Sequence, residues 1–183
     1  MSALDRAGAR RIVTFNDAQG RSAKFANDRA PRAIDFSETK GMRASVLWAT
    51  AETPLVDGSV SDPIPDLASC HPTPGGSVFM TLTVPPASVF ESPEFNPERA
   101  MAEQLSVMPG IVERMEADAP GFHKTESVDY FILLSGELWL VLDRDEVKLS
   151  PGDVVIQNGT RHAWQNRSEE PATFAVVLLG MRT

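Results

Sequence analysis

Two of the three histidines in this chain fall where strands are predicted near the C-terminus. His123, Thr125 and Asp129 share one parity along the chain, and His162 and Trp164 share another. On β-strands, residues of the same parity point to one face of the sheet. If both sets face the interior of a barrel, two imidazoles and one carboxylate meet there.

Two imidazoles and a carboxylate with open positions are the ligand set of Fe(II), and the set also suits Zn, Mn or Ni. An ionised Asp129 inside a barrel is costly unless a metal or a cation compensates its charge. The alternative is a metal-free barrel in which His123 and His162 hydrogen-bond Asp129 and Thr125, or act as general acid and base. Glu126 has the wrong parity and could replace Asp129 only if the strand bulges.

Further side chains are candidates for contacts with a substrate. Thr125, Phe131, Gln157 and Trp164 are predicted to line a pocket for a ring-shaped or apolar ligand. Ordinary core packing is the alternative for the two aromatic residues.

Methionines and the remaining histidine are weaker candidates. Met101, Met108 and Met115 would form an adaptable lid over the barrel mouth, or simply an apolar helix face. His71 lies in a Pro-rich loop, where a solvated side chain is expected.

Short apolar segments separated by turns must position these residues. Segments 11–15 and 21–25 flank a Gly-containing turn and predict a hairpin. Other predicted strands are 43–50, 77–84, 129–134, 137–143, 147–149, 154–157, 162–166 and 173–179, and residues 57–76 are a predicted loop. Such spacing is typical of an antiparallel sandwich or barrel.

One helix is predicted. Asn96 can cap it, Pro97 suits its first position, and Glu98 favours the positive N-terminal end. Met101 and Leu105 then lie on one face of the helix.

Composition excludes several classes of protein. The 183 residues carry a net charge of −8 with no basic cluster, which excludes a typical nucleic-acid binder. No apolar run is long enough to span a membrane, and the N-terminus has no signal-peptide pattern, so a cytoplasmic location is the default expectation. The lone Cys70 excludes an intramolecular disulfide.

Two segments resemble the motifs of the cupin superfamily. Residues 121–136 resemble the first motif, a His-x-His, then an acidic residue, then six residues to Gly136. Residues 152–166 resemble the second, with its Gly152, its final His162 and its closing Asn166. The resemblance covers residues 121–180. It implies an all-β cupin double-stranded β-helix, or jelly-roll barrel, with an N-terminal strand extension and one short helix.

The departures from the motifs concern the metal ligands. By position, His123 matches the first His of the family and His162 the last. Thr125 stands where the second His is usual, and Asp129 where the Glu is usual. The second motif also lacks its usual Pro and is one residue shorter between Gly152 and His162. The resemblance implies that His123, Asp129 and His162 hold a divalent metal, Fe, Mn, Ni or Zn, with no organic cofactor.

Cupins include many kinds of enzyme and binding protein, so the resemblance leaves two functions open. The first is a metal-dependent enzyme, like a dioxygenase or decarboxylase, that acts on an oxygenated or aromatic small molecule. The second, favoured by Thr125, is a metal-free binding module or isomerase. Residues 1–76 would pack as an extension on a barrel of residues 77–183, forming one structural domain. A homodimer is also implied, and strand 138–142, apolar on both faces, supports it.

Overall fold

The computed structural model describes residues 8–52, 54 and 60–182. In this part of the chain there are eleven strands and one α-helix. The strands are β1 Arg10–Asn16, β2 Ser22–Arg29, β3 Arg32–Asp35, β4 Arg43–Thr50, β5 Ser77–Val84, β6 Ser127–Ser135, β7 Leu138–Val141, β8 Glu146–Leu149, β9 Val154–Asn158, β10 Ala163–Gln165 and β11 Ala172–Gly180. The helix α1 is Pro97–Val107, and two short 3₁₀ helices lie at Ala87–Val89 and Val112–Arg114.

Two antiparallel sheets enclose the core. The larger has six strands in the order β3-β4-β5-β11-β6-β9, and the smaller has the order β10-β7-β8. Leu133 of β6, Leu138 of β7 and Val46 of β4 are fully buried between them. The all-β barrel expected from the sequence is therefore confirmed. Of the predicted loop 57–76, residues 60–76 are described and contain no strand.

Residues of the predicted extension join the barrel in two ways. β3 and β4 are part of the six-stranded sheet, so the division at residue 76 falls between two strands, β4 and β5, that pair directly. β1 and β2 form a separate hairpin. The buried Arg11 anchors it by ion pairs with Asp28 and Asp62 and by a bond of 3.2 Å to the carbonyl of Leu47. Parts of the predicted extension, residues 1–7, 53 and 55–59, lie outside the described residues.

Helix α1 begins as the sequence predicts. The Asn96 side chain accepts a hydrogen bond of 3.0 Å from the backbone N–H of Arg99, with Pro97 at the first helical position. Ala100 and Val107 form its buried face. Met101 and Leu105 are exposed, so the apolar pair does not contact the core. No helix in the described ranges is long and apolar enough to cross a membrane.

A glycine makes the tight connection between β6 and β7. Gly136 has a φ of 78°, and a Cβ placed there would lie 2.6 Å from both the Cα of Ala172 and the carbonyl oxygen of Pro171. Any other residue would therefore clash with backbone atoms as well as adopt a left-handed conformation. This connection sets the register of β6, which carries several of the candidate site residues.

Candidate functional site

His123 and His162 lie directly opposite each other on neighbouring chain segments. Each donates its backbone N–H to the carbonyl oxygen of the other, at 2.9 and 3.0 Å. Residues paired in this way on antiparallel segments project their side chains to the same face. The two imidazole rings accordingly lie 4.3 Å apart between centroids, with an interplanar angle of 50°. Met115 bridges to His123 from the other side, which holds the pair in a small three-stranded ladder.

Both imidazoles are oriented by backbone carbonyls. Nδ1 of His123 lies 3.1 Å from the carbonyl oxygen of Gly121, and Nδ1 of His162 lies 2.9 Å from that of Thr160. A carbonyl can only accept, so each neutral ring carries its proton on Nδ1 and a lone pair on Nε2. Neither Nε2 has a hydrogen-bond partner among the described residues. The pair therefore presents two basic nitrogens that no described side chain or backbone group binds.

Burial keeps both rings neutral at physiological pH. It lowers the pKa of His162 to about 4, helped by the neighbouring His123. Burial also lowers the pKa of His123, but the bond to the Gly121 carbonyl and the charge of Glu116 oppose the shift. The charge of Glu116 does not contribute to the pKa of His162. The surrounding protein therefore stabilises the protonated form of His123 better than that of His162.

A line of three polar side chains runs from Thr125, just before β6, along the inner face of the start of β6. The Ser127 hydroxyl lies 2.6 Å from an oxygen of Asp129 and 2.9 Å from the hydroxyl of Thr125. All three residues are buried. Burial raises the pKa of Asp129 to about 6, and the Ser127 hydrogen bond opposes that shift. The carboxyl group can therefore gain or lose a proton near neutral pH.

An aromatic wall adjoins the histidines. The Trp164 ring stacks on Phe131 with centroids 4.2 Å apart and an angle of 9°, and Phe174 lies 4.6 Å from Phe131. Trp164 also contacts His162 edge-on at 5.3 Å. Phe131 follows Asp129 on the inner face of β6, so the wall connects the imidazoles to the polar line. The predicted roles of Phe131 as a core and pocket residue are both compatible with this arrangement.

Gln157 supports His162 and is not a free group at the site. It pairs with Asp129 across β6 and β9. Its amide nitrogen donates to the Thr160 carbonyl at 3.1 Å and also bonds the Thr160 hydroxyl. The same carbonyl accepts from Nδ1 of His162. Gln157 therefore fixes the group that orients the imidazole.

Arg161 contacts two acidic side chains and one aromatic ring beside the histidine ladder. We call Arg161 with Glu116, Asp143 and Phe122 the arginine clasp. Arg161 makes a two-point ion pair with Glu116, at 2.8 and 2.7 Å, and a further bond of 2.6 Å to Asp143. Its guanidinium lies 4.0 Å from the centre of the Phe122 ring. Because Arg161 and Phe122 are the chain neighbours of His162 and His123, the clasp fixes the backbone of both histidines.

The predicted three-ligand metal site is not assembled in this arrangement. Nε2 of His123 and Nε2 of His162 are suitable donors for a divalent metal. Asp129 hydrogen-bonds Ser127 and makes no hydrogen bond to either imidazole in the described part of the chain. Across residues 8–52, 54 and 60–182, no group of three or more His, Cys, Asp or Glu side chains is placed to hold a metal ion. The residues therefore offer two donors and do not fit the set expected from the sequence.

Two interpretations of the sequence are corrected. In one form of the metal-free alternative the histidines hydrogen-bond Asp129 and Thr125, but they bond the carbonyls of Gly121 and Thr160, because the local course of the chain brings those carbonyls to Nδ1. His71 is not solvated, since its side chain is only 14% exposed and Nε2 lies 3.5 Å from Glu126.

The methionines form no common lid. Met108 is buried in the core and Met101 is exposed on the helix, whereas Met115 packs against the core. Glu126 pairs with Arg114 at 3.2 Å and takes no part in the histidine cluster.

Two residues of the site were not predicted from the sequence. Ser127 has the same parity as Thr125 and Asp129, so the alternation along β6 could have identified it. Glu116 lies in a segment without a strand pattern. It reaches the site because its backbone N–H donates to the Phe122 carbonyl at 2.8 Å, a pairing that no local pattern indicates.

Fold and site together define an antiparallel β-barrel protein with a polar, histidine-bearing interior. The family described as "Cupin domain" matches residues 111–178, which contain the histidine pair, the polar line and the aromatic wall. "Phomopsin biosynthesis cluster protein C'" of Diaporthe leptostromiformis is 34% identical over 160 residues, which cover 86% of this chain and 70% of that protein. The chain belongs to the cupin superfamily.

Two further relatives cover most of the chain. "Phomopsin biosynthesis cluster protein D" of the same fungus is 33% identical over 160 residues, covering 86% of this chain and 70% of that protein. A "cupin-domain-containing oxidoreductase" of Aspergillus ruber is 37% identical over 161 residues, covering 85% of this chain and 63% of that protein.

Proposed function

We propose that this chain is a biosynthetic enzyme that moves protons on a small, ring-bearing substrate held inside the barrel. One observation carries the proposal: two neutral imidazoles, bonded at Nδ1 to backbone carbonyls, present the basic Nε2 atoms beside an aromatic wall. A fixed imidazole with a free Nε2 is a general base. The adjoining Trp164 and Phe131 offer faces on which a ring can stack.

His123 is the proposed base. Burial lowers the pKa of His123, but the Gly121 carbonyl and the charge of Glu116 oppose that shift, so His123 tolerates a proton at Nε2 better than His162 does. His162, whose pKa is about 4, stays neutral and accepts a hydrogen bond from a hydroxyl or amide of the substrate. Protonation of both rings would place two like charges together. The pair therefore takes up only one additional proton at a time, on Nε2 of one ring.

Asp129 is the proposed acid at the other end of the site. Its pKa of about 6 allows it to hold a proton, and the Ser127 hydroxyl donates a hydrogen bond to the carboxyl group and orients it. A proton taken from the substrate by His123 and a proton returned by Asp129 at another position give an isomerisation. If the returned proton leaves with a hydroxyl group, the result is loss of water. Neither reaction consumes or supplies electrons.

The relatives support a biosynthetic role. Two of them are named for a biosynthesis cluster, which suggests that this chain also serves a pathway to a small molecule. The expected substrate is therefore an aromatic or other ring compound with a hydroxyl, amide or carbonyl group, in line with the oxygenated or aromatic substrate expected from the sequence.

A metal-dependent oxidoreductase is the second candidate. The free Nε2 atoms of His123 and His162 and the name "cupin-domain-containing oxidoreductase" of one relative favour it. In that case the two imidazoles would hold Fe, Mn, Ni or Zn, and the metal would supply Lewis-acid or redox chemistry.

One experiment separates the two candidates. Untagged protein, and the variants His123→Ala and His162→Ala, are analysed for metals by plasma mass spectrometry. The same proteins are incubated with phenols and cyclic ketones in D₂O, while oxygen uptake is recorded and the compounds are analysed for added deuterium.

Proton transfer predicts deuterium incorporation that needs His123, persists with a chelator and consumes no oxygen. A near-stoichiometric metal that both variants lose, together with oxygen uptake, would establish the oxidoreductase instead. The variant Asp145→Asn, an exposed carboxyl group on the loop between β7 and β8, is the control for loss of a surface charge.

A further inference from the structure

In the described part of the chain, no buried cationic side chain is left to pair with a substrate. Arg11 is the only buried lysine or arginine there, and its ion pairs with Asp28 and Asp62 hold it on the β1–β2 hairpin. No lysine or arginine shifts the pKa of Asp129 or of His162. An anionic substrate would therefore meet no buried cation to compensate its charge.

The arginine beside the histidines is already neutralised. Arg161 makes a two-point ion pair with Glu116 and a further ion pair of 2.6 Å with Asp143. Two carboxylates around one guanidinium leave the arginine clasp with a net negative charge. The chain as a whole adds to this field, since its net charge is −8.

The atoms that are open at the site carry lone pairs. Among the described residues, Nε2 of His71 is the only buried side-chain nitrogen or oxygen without a hydrogen-bond partner. Nε2 of His123, Nε2 of His162 and the second oxygen of Asp129 also lack such a partner, so each of these atoms is open to solvent. The face of the adjoining Trp164 carries the negative side of its quadrupole. A substrate is therefore met mainly by hydrogen-bond acceptors and electron density.

We propose that the substrate of this site is an uncharged ring compound whose polar end donates hydrogen bonds through N–H or O–H groups, and that carboxylates, sulfates and phosphates are excluded. The proposal rests on the proposed function, because it takes the histidine pair as the place where the substrate binds.

The geometry of the pair favours a polar group with two donor hydrogens. The rings of His123 and His162 lie 4.3 Å apart, so one primary amide can donate to Nε2 of both while its ring stacks on the aromatic wall. A carboxylate of the same shape has no proton to donate. It would also lie near the buried Asp129 carboxyl group, whose ionised form repels it.

Three compounds with the same ring and side arm separate charge from hydrogen bonding. Phenylacetamide is uncharged and donates through N–H, methyl phenylacetate is uncharged without a donor, and phenylacetate is an anion at pH 7.5. Each is titrated into the full chain with a chelator present. Binding is followed by the ¹⁵N resonances of Nε2 in His123 and His162, which respond when these atoms accept a hydrogen bond.

Phenylacetamide is expected to bind most tightly. Methyl phenylacetate should bind about tenfold more weakly, because it leaves both Nε2 acceptors unpaired. Phenylacetate should bind at least ~100-fold more weakly, because it brings an uncompensated charge into the barrel.

The variant Asp129→Asn tests the source of the selectivity. It should narrow the difference in affinity between phenylacetamide and phenylacetate at least ~10-fold, since the like charge is gone. Asp145→Asn removes an exposed carboxyl group from the loop between β7 and β8 and is the matched control, which should leave the difference unchanged. Far-ultraviolet circular dichroism checks that both variants are folded.

The proposal is overturned if phenylacetate or methyl phenylacetate binds as tightly as phenylacetamide. It is also overturned if phenylacetamide shifts neither resonance at its solubility limit, or if Asp129→Asn keeps the full difference in affinity. Binding in the expected order without deuterium incorporation would refute the proposed proton transfer alone. Deuterium incorporation into a carboxylate substrate would refute the charge selectivity alone.

Discussion

Replacing Asp129 by Asn should make the protein more stable near neutral pH and should change how its stability depends on pH. The pKa of Asp129 is raised from 3.8 to about 6 by burial. A carboxyl group whose folded pKa is raised stabilises the fold in its protonated form, below its unfolded pKa. This contribution is lost as the pH rises through about 6. At pH 7.5 the ionised, buried carboxylate therefore weighs against folding, and Asn removes that cost.

The magnitude follows from the shift. Two pKa units at 1.36 kcal/mol each correspond to ~3 kcal/mol. Part of this is already lost at pH 4, because the unfolded group has begun to ionise there. The difference in the free energy of unfolding between the Asn variant and the unmodified protein should therefore grow by about 2–3 kcal/mol between pH 4 and pH 7.5.

Urea unfolding at several pH values, followed by tryptophan fluorescence, measures this difference. The histidines titrate in both proteins, so their contributions cancel. Asp145→Asn, an exposed carboxyl group on the loop between β7 and β8, is the control. Ser127→Ala should enlarge the effect, because the Ser127 hydrogen bond lowers the pKa of Asp129. The reasoning is refuted if the difference in free energy of unfolding does not change with pH, or if the Asn variant is less stable than the unmodified protein at pH 7.5. Either result would show that another group already compensates the charge of the Asp129 carboxylate.

Three further predictions concern stability. Phe131→Ala should lower the free energy of unfolding by ~3–5 kcal/mol, since Phe131 is buried and holds the aromatic wall, and Phe131→Leu should cost much less in the same urea assay. Gly136→Ala should cost more than ~2 kcal/mol and lower the melting temperature, because its Cβ meets backbone atoms at 2.6 Å. The lowered pKa of His162 makes stability fall by ~3 kcal/mol as the pH drops from 6.5 towards 4, so His162→Gln should flatten that part of the profile.

Strong local patterns account for the parts of the fold that the sequence predicts well. β4 and β5 begin and end where predicted, because β-branched and aromatic residues fill them and Pro85 stops the second. Helix α1 was predicted because Asn96 and Pro97 are start signals. β3 was not predicted, since its four residues are too few to show an alternation.

The site was only partly predictable, because some of its residues follow a local strand pattern and others are placed by contacts between distant segments. Parity along the chain placed Thr125, just before β6, and Asp129 of β6 in the interior, and both are buried there. The partners of His123 and His162 depend on backbone carbonyls, whose positions follow from the path of the chain and not from residue types. Glu116 reaches the site through a pairing between segments that have no strand pattern. Such non-local contacts leave no periodic signal in a single sequence.

The central claim is that two neutral imidazoles present free Nε2 atoms inside the barrel. Long-range ¹H–¹⁵N spectra of the three histidine rings, assigned with His71→Gln, His123→Gln and His162→Gln, test it most directly. At pH 7, His123 and His162 should both be neutral with the proton on Nδ1, and His162 should begin to titrate only towards pH 4. A charged ring at pH 7, or a proton on Nε2 of either histidine, would contradict the proposed base.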